Sequence, residues 1–157
     1  MSELPHKITF GPVDKSSIGL LKIIHRELLP IHYSDDIYEI IKQNLGVKGI
    51  LAYYNDDTAV GEICYRKENV DGVKKLYIMT IGVLPTYQRQ GIATMLINKA
   101  LEDAKEETEV YLHVLVDNEV AIKFYTKLGF TKVTKVEGYY KSLQGSDAYL
   151  FRKEITK

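Results

Sequence analysis

Residues Leu76 to Ala104 read LYIMTIGVLPTYQRQGIATMLINKALEDA, and this stretch decides the fold. Leu76 to Val83 is rich in β-branched and aromatic residues, the composition of a strand. Pro85 to Gln90 is polar, opens on proline and stops before a glycine, so it reads as a loop. From Gly91 onward, Ile92, Met95, Leu96 and Leu101 recur at helical spacing. Strand, tight loop and helix in that order aim a helix N-terminus at whatever lies beyond the strand end. The first N–H groups of that helix have no acceptor inside it. With the macrodipole they make a site for an anion, most often phosphate. In Gln88-Arg89-Gln90-Gly91-Ile92-Ala93, the small Gly91 and Ala93 leave room at the backbone, and Arg89 adds a bidentate cationic donor. The Lys-Ser/Thr of a P-loop and the glycine triplet of a dinucleotide fold are both missing. On these residues alone, a plain strand-to-helix turn fits as well as a phosphate cradle.

Upstream, Lys7 to Phe10 is a short strand. Asp14 has the chemistry of an N-cap for a helix whose buried face is Ile18, Leu21, Ile24 and Leu28, stopped by Pro30. Ser34 caps a second helix with Asp35 and Asp36 in its favourable first turn and Ile37, Ile40 and Ile41 on its face, ended by Gly46. Gly49 to Tyr54 and Ala59 to Arg66 are strands joined by the hairpin signal Asn55-Asp56-Asp57. Asn69 to Gly72 turns the chain into the long strand Lys74 to Val83.

Downstream, Glu109 to Val116 is an apolar strand. Asp117 or Asn118 caps a helix that Gly129 ends. Phe130 to Val136 and Asp147 to Ile155 close the pattern, with Glu137 to Ser146 as the loop between them. The class is α+β: one domain, 1–157, with a mixed, mostly antiparallel sheet and helices on both faces.

Composition narrows the function. At 157 residues the chain can bury a sizeable core, and its apolar share of 45% is that of a globular protein. Lys+Arg and Asp+Glu both number 21, so no basic field argues for nucleic acid. Cys64 is the only cysteine, which excludes an internal disulfide and a Cys-rich metal centre. MSELPHKITF has no apolar signal-like core, and no run reaches membrane-spanning length. The expected compartment is the cytosol, with access to the nucleus, and no membrane partner is expected.

Two side chains have the chemistry of proton transfer. His113 lies in Val110-Tyr111-Leu112-His113-Val114, where a period of two sets it on one face with Tyr111 and Leu115. Its reference pKa of about 6.5 suits a base near neutral pH. Tyr77 alternates likewise, on one face with Met79. If the two strands are neighbours, Tyr77 and His113 can approach one cleft and share a water. A buried structural histidine and a core tyrosine are equally consistent with these residues alone.

A family resemblance enters on two blocks. Gln88-x-x-Gly91-x-Ala93 after a strand resembles the Q/R-x-x-G-x-G/A loop of the GNAT superfamily of N-acetyltransferases. Asn118, then Ala121-Ile122-Lys123-Phe124-Tyr125-Thr126-Lys127-Leu128-Gly129-Phe130, looks like that family's A-x-x-F-Y-x-K-x-G-F signature. The resemblance implies the GNAT fold and acetyl-CoA as co-substrate, with no metal. It implies that Gln88, Arg89, Gln90, Gly91, Ile92 and Ala93 hold the coenzyme pyrophosphate. It implies coenzyme contacts from Ile81 and Val83 on the strand and from Asn118 and Tyr125, with Tyr125 also a proton donor near the sulfur.

A closer resemblance covers Leu51 to Asp56, Leu76 to Thr80, Tyr111 to Val114, Tyr139 to Lys141 and Asp147-Ala148. These segments are similar to those of the NatE-type N-terminal acetyltransferases. That likeness implies acetylation of the α-amine of peptide N-termini, on nascent or completed proteins, that keep methionine followed by an apolar residue. It assigns Tyr77 and His113 to a catalytic pair holding a base water. It assigns Leu29, Pro30, Ile31, Tyr33, Met79, Tyr139 and Tyr140 to the peptide slot. It also implies the auxiliary and catalytic subunits of the NatA complex as partners. Leu29 and His32 depart from the phenylalanine and serine usual in that branch, and Ala93 from the commoner second glycine of the loop. The rival readings are a GNAT acting on lysine side chains or a small amine, and a mainly non-catalytic subunit of a ribosome-associated complex.

Overall fold

The computed structural model describes residues 7–29, 33–140 and 146–156. The first strand, β1, is Ile8–Pro12. Helix α1 is Ile18–Leu28, so Asp14 is not its N-cap. Asp14 instead accepts from the backbone N–H and the hydroxyl of Ser16, at 2.9 and 2.6 Å. This local turn competes with the helix and delays its start to the residue after Ser17. Helix α2, Asp35–Lys42, begins after Ser34 with both aspartates in its first turn, as its sequence predicts. Pro30, the expected stop of α1, lies outside the described residues.

Strands β2, Val47–Tyr54, and β3, Thr58–Val70, form the predicted hairpin. Asn55 and Asp56 at its tip have φ of 51° and 66°. Two left-handed residues in succession match the right-handed twist of the strands they join. The turn from β3 to β4, Val73–Val83, repeats the device with Asp71 and Gly72 at 51° and 84°. A 3₁₀ turn, Pro85–Tyr87, tightens the expected loop, and α3 follows as Ile92–Glu102. After β5, Glu109–Leu115, Asn118 caps α4, Glu119–Lys127, by accepting from the N–H of Ala121 at 3.1 Å. The left-handed Gly129, at φ 95°, leads out of α4.

The last two strands are β6, Thr131–Tyr140, and β7, Ser146–Glu154. The expected loop Glu137 to Ser146 is therefore corrected at both ends, because 137–140 belong to β6 and Ser146 to β7, while 141–145 lie outside the described residues. Tyr140 still pairs with Ser146 across a register shift between Val136 and Tyr140. Gly138, at φ 65°, absorbs the irregularity, and its N–H bonds Asp147 Oδ1 at 2.8 Å.

The strands order β1-β2-β3-β4-β5-β7-β6. Pairs β1–β2, β2–β3, β5–β7 and β6–β7 are antiparallel, and β4–β5 is parallel, so the sheet is mixed and mostly antiparallel as predicted. Contacts divide the chain into two compact units. The first is Met1–Arg66 with Met79–Asp103, and its buried residues include Leu21, Ile24, Ile41, Leu51 and Cys64. The second is Lys67–Ile78 with Ala104–Lys157, and it buries Val110, Leu112, Val114, Phe130 and Phe151.

Candidate active site

In the second unit, β5 alternates as its sequence requires. Val110, Leu112 and Val114 are buried, while Tyr111, His113 and Leu115 are half-buried on the other face. The parallel register sets Tyr77 of β4 opposite Tyr111 and ends there. From that position the Tyr77 hydroxyl lies 2.9 Å from His113 Nδ1. The two side chains expected to approach one cleft are thus in direct hydrogen-bond contact. The same hydroxyl lies 2.8 Å from that of Tyr139 on β6. The Tyr139 ring stacks on the His113 imidazole at 4.1 Å and 15°. Tyr140 points its hydroxyl at the His113 carbonyl, 3.5 Å away.

Burial pushes the His113 pKa below its ordinary value, and the negative charge of Glu68 partly opposes that shift. The imidazole is therefore neutral at neutral pH, as a proton acceptor must be. Burial pushes the Tyr140 phenol up to about 12, so it stays a neutral donor. A hydroxyl has one proton to give and two lone pairs. Tyr77 can give its proton to His113 Nδ1 and receive one from Tyr139. The arrangement can pass a proton from an incoming group through the Tyr77 oxygen to the imidazole. Tyr139 was expected as a slot residue, yet it joins this chain directly. Sequence reasoning missed Glu68 altogether, because nothing local marks it, and it placed Tyr111 on the His113 face without giving it a part.

The first unit holds the coenzyme loop. Gly91 is the N-cap of α3 in the left-handed region, at φ 80°. The first backbone bond of α3 runs from Met95 N–H to the Gly91 carbonyl, at 3.0 Å. The N–H groups of Ile92, Ala93 and Thr94 precede that bond and have no acceptor within the helix. A Cβ on Gly91 would meet nothing within 4 Å, so the space before these donors is open. Arg89, also left-handed at φ 66°, adds charge beside it. These features fit a pyrophosphate. Gln88 takes a different part, since its Nε2 donates to the Val83 carbonyl at 2.9 Å and ties the loop to the end of β4. Gln90 is exposed, whereas Ile92 is buried and offers only its backbone. Val83 is buried and Ile81 half-buried.

The remaining coenzyme candidates belong to the second unit. Asn118 uses its side chain as the α4 cap. Tyr125 is buried on α4, with its ring 5.1 Å from that of Phe124 and 5.5 Å from that of Phe130. Of the slot residues in the first unit, Leu29 caps α1, its N–H on the His25 carbonyl at 2.9 Å. Tyr33 lies with its ring 6.0 Å from that of His25. Met79 packs against the core formed by Leu21, Ile24 and Leu51. Pro30 and Ile31 lie outside the described residues. Tyr139 and Tyr140 complete the set in the second unit.

Comparison with known proteins gives the family. Residues 19–130 match the model of the Acetyltransferase (GNAT) family. The chain is 36% identical over 152 residues to N-alpha-acetyltransferase 50 of Danio rerio, covering 95% of this chain and 89% of that protein. It is 35% identical to the probable N-acetyltransferase san of Drosophila melanogaster, covering 96% and 82%. The structure of Arabidopsis thaliana Naa50 in complex with the bisubstrate analogue CoA-Ac-MVNAL superposes with a TM-score of 0.80 at 37% identity, covering 93% of this chain and 97% of that one. A family match spanning most of the chain, with a coenzyme-type loop and a tyrosine–histidine pair inside or beside it, leaves one conclusion: this chain belongs to the acetyltransferase (GNAT) family.

Proposed function

We propose that this protein is an N-terminal α-amino acetyltransferase of the NatE type. It takes acetyl from acetyl-CoA and gives it to peptide N-termini that keep methionine followed by an apolar residue. The observation that carries the acceptor side is the Tyr77–His113 hydrogen bond at 2.9 Å. It is supported by the relatives named above and by the analogue bound to the Arabidopsis protein, whose peptide begins Met-Val.

An α-ammonium has a pKa of about 7.7–8.0, so a modest base suffices to free it. Its proton passes to the Tyr77 oxygen while the phenolic proton moves to His113 Nδ1, leaving an imidazolium. The neutral amine attacks the thioester carbonyl, the C–N bond forms and the C–S bond breaks. As the amide forms, the attacking nitrogen gives up its second proton; the departing sulfur takes one, with Tyr125 as its proposed donor, and the proton from nitrogen restores that phenol. Ile92 and Ala93 offer backbone N–H groups, and Arg89 its charge, to the pyrophosphate. By the same likeness Leu29, Tyr33 and Met79 are proposed to read the first residues of the peptide, and the hydroxyls of Tyr139 and Tyr140 to bond its backbone. The protein acts in the cytosol, with the NatA subunits as its proposed partners.

A peptide panel tests the reading. Each missing buried methylene costs about 0.8 kcal/mol, so a first residue of Ser or Ala should lower kcat/KM well over tenfold against Met-Leu. Equal rates on Ser- and Met-starting peptides would defeat the assignment. Faster acetylation of an internal lysine in a peptide with a blocked N-terminus would favour the lysine reading instead.

A further inference from the structure

The Tyr77–His113 pair does not stand alone in its unit. Tyr111, opposite Tyr77 in the parallel register, sets its ring 4.7 Å from that of Tyr77 and 6.2 Å from that of His113. Its hydroxyl donates a short hydrogen bond to Glu68 Oε1 on β3. Glu68 is half-buried, so its charge is only partly screened by water. We propose that Glu68 is a positioning residue for acetyl transfer: through Tyr111 it holds Tyr77 against His113, and its charge favours the imidazolium that deprotonation of the acceptor produces. This rests on the N-terminal acetyltransferase reading.

The surrounding groups leave this part to Glu68. From β4, Lys75 lies over the Tyr111 ring at 5.5 Å, but its ammonium is paired with Glu109 at 3.0 Å. From β7, Arg152 stands opposite Tyr111 and also binds Glu109, at 2.7 Å. One carboxylate thus answers two cations on β4 and β7. From β6, Tyr139 and Tyr140 present phenols to His113 and its carbonyl. Among the described residues, Glu68 is the carboxylate whose charge acts on the imidazole, in the direction that raises its basicity. Step by step, the proton leaves the α-ammonium for the Tyr77 oxygen, the Tyr77 proton moves to Nδ1, and a positive ring forms near a negative carboxylate. Glu68 itself gains and loses nothing.

The test separates charge from geometry. Glu68→Gln keeps an acceptor for Tyr111 and removes the charge, while Tyr111→Phe keeps the ring and the charge and removes the bond. His113 is titrated by NMR in each variant, and kcat and KM are followed against pH with a Met-Leu peptide. Glu68→Gln should move the His113 titration, and with it the acid limb of kcat/KM, to lower pH. Its plateau kcat should fall by roughly three- to tenfold, as a weaker base requires. Tyr111→Phe should lower kcat at an unchanged KM for acetyl-CoA, with the titration nearly in place. An unmoved His113 titration in Glu68→Gln would overturn the proposal, as would a moved titration with plateau kcat intact. The titration is read without turnover, so failure of the N-terminal acetyltransferase reading on the peptide panel remains a distinct result.

Discussion

His25 and His113 each have a tyrosine and a glutamate nearby, yet their surroundings are opposite. In the first unit, His25 Nδ1 meets the Tyr38 hydroxyl at 2.9 Å and Nε2 meets Glu62 Oε1 at 2.9 Å. Thr80 donates to the same oxygen at 2.7 Å, and the Cys64 thiol lies 3.5 Å from it. His25 is 5% exposed and Glu62 fully buried. In the second unit, His113 is half-buried and stacks on Tyr139, which is 38% exposed. The residue types are nearly the same and the consequence differs. A network closed on all sides can only hold the core together, because no substrate atom reaches it. A network with one exposed member can pass a proton outward.

The closed set also looks like a metal centre, since ligand atoms of His25, Glu62 and Cys64 lie within 4.8 Å of one another. Its chemistry argues against that. Both ring nitrogens and Glu62 Oε1 are already hydrogen-bonded within the set. Glu62 Oε2 is the buried side-chain oxygen without a partner among the described residues, a cost the rest of the network must offset.

The sharpest test sets the two histidines against each other. His113→Ala, like Tyr77→Phe, should lower kcat by about 10²–10⁴-fold and move stability little. The double variant should be hardly worse than the poorer single one, because the pair acts as a unit. His25→Ala should do the reverse, costing about 3–5 kcal/mol by leaving the buried Glu62 with only Thr80 and the Cys64 thiol, while folded enzyme keeps its kcat. Denaturant unfolding and steady-state kinetics on the same preparations read both. Equal loss of kcat in the two variants would erase the distinction.

A smaller effect is expected at the coenzyme loop. Gly91→Glu forces an L side chain into the left-handed region, at about 1–2 kcal/mol, and brings a negative charge to the proposed phosphate site. Acetyl-CoA affinity by calorimetry should fall by about tenfold or more. Gly91→Ala, which shares the strain but not the charge, should lose less. Unchanged affinity in both would remove the loop from the site.

The pH profile comes next. Because burial lowers the His113 pKa, the acid limb of kcat/KM should have its midpoint below about 6.5. The sign for stability is the same. The unfolded chain binds the proton more readily, so the contribution of His113 is present above its unfolded pKa and is lost as pH falls through the lower folded value. A limb centred above 6.5 would mean that another group controls the rate.

The smallest effect concerns the end of β6. Asp147 holds the Gly138 N–H at 2.8 Å and Lys135 at 3.4 Å, and both hydrogen bonds keep its carboxyl below the usual range. Asp147→Ala should loosen the chain just before Tyr139 and raise the peptide KM by a few-fold, with kcat nearly kept. A peptide KM equal to that of the unaltered protein would show that Gly138 holds its shape without the aspartate.

Much of this could be read in advance, for local reasons. Alternation placed Tyr111, His113 and Leu115 on one face of β5, and the burial of Val110, Leu112 and Val114 agrees. Asn55-Asp56 and Gly72 marked hairpin turns because few residues accept a left-handed backbone. His25 was passed over, although it lies one helical turn after Leu21 on the buried face of α1, because periodicity marks apolar faces and cannot tell a core histidine from a functional one. Asp14 misled because its side chain can serve a cap or a turn, and only the following residues decide which. The span 137–140 misled because its pairing partner is β7, and strand ends depend on the partner as much as on composition.

What the sequence determined by itself is therefore the set of local constraints: which residues turn, which alternate, which helix opens on a glycine with free N–H groups. The tertiary structure alone decided that Tyr77, His113 and Tyr139 would share hydrogen bonds and that Glu68 would stand behind Tyr111. These contacts join four strands, β3 to β6, across as many as 62 positions of the chain, and they exist only in one register. A slip of a single residue in β5 would turn His113 inward and Val114 outward. Register is set by the packing of the whole sheet, which no short stretch contains.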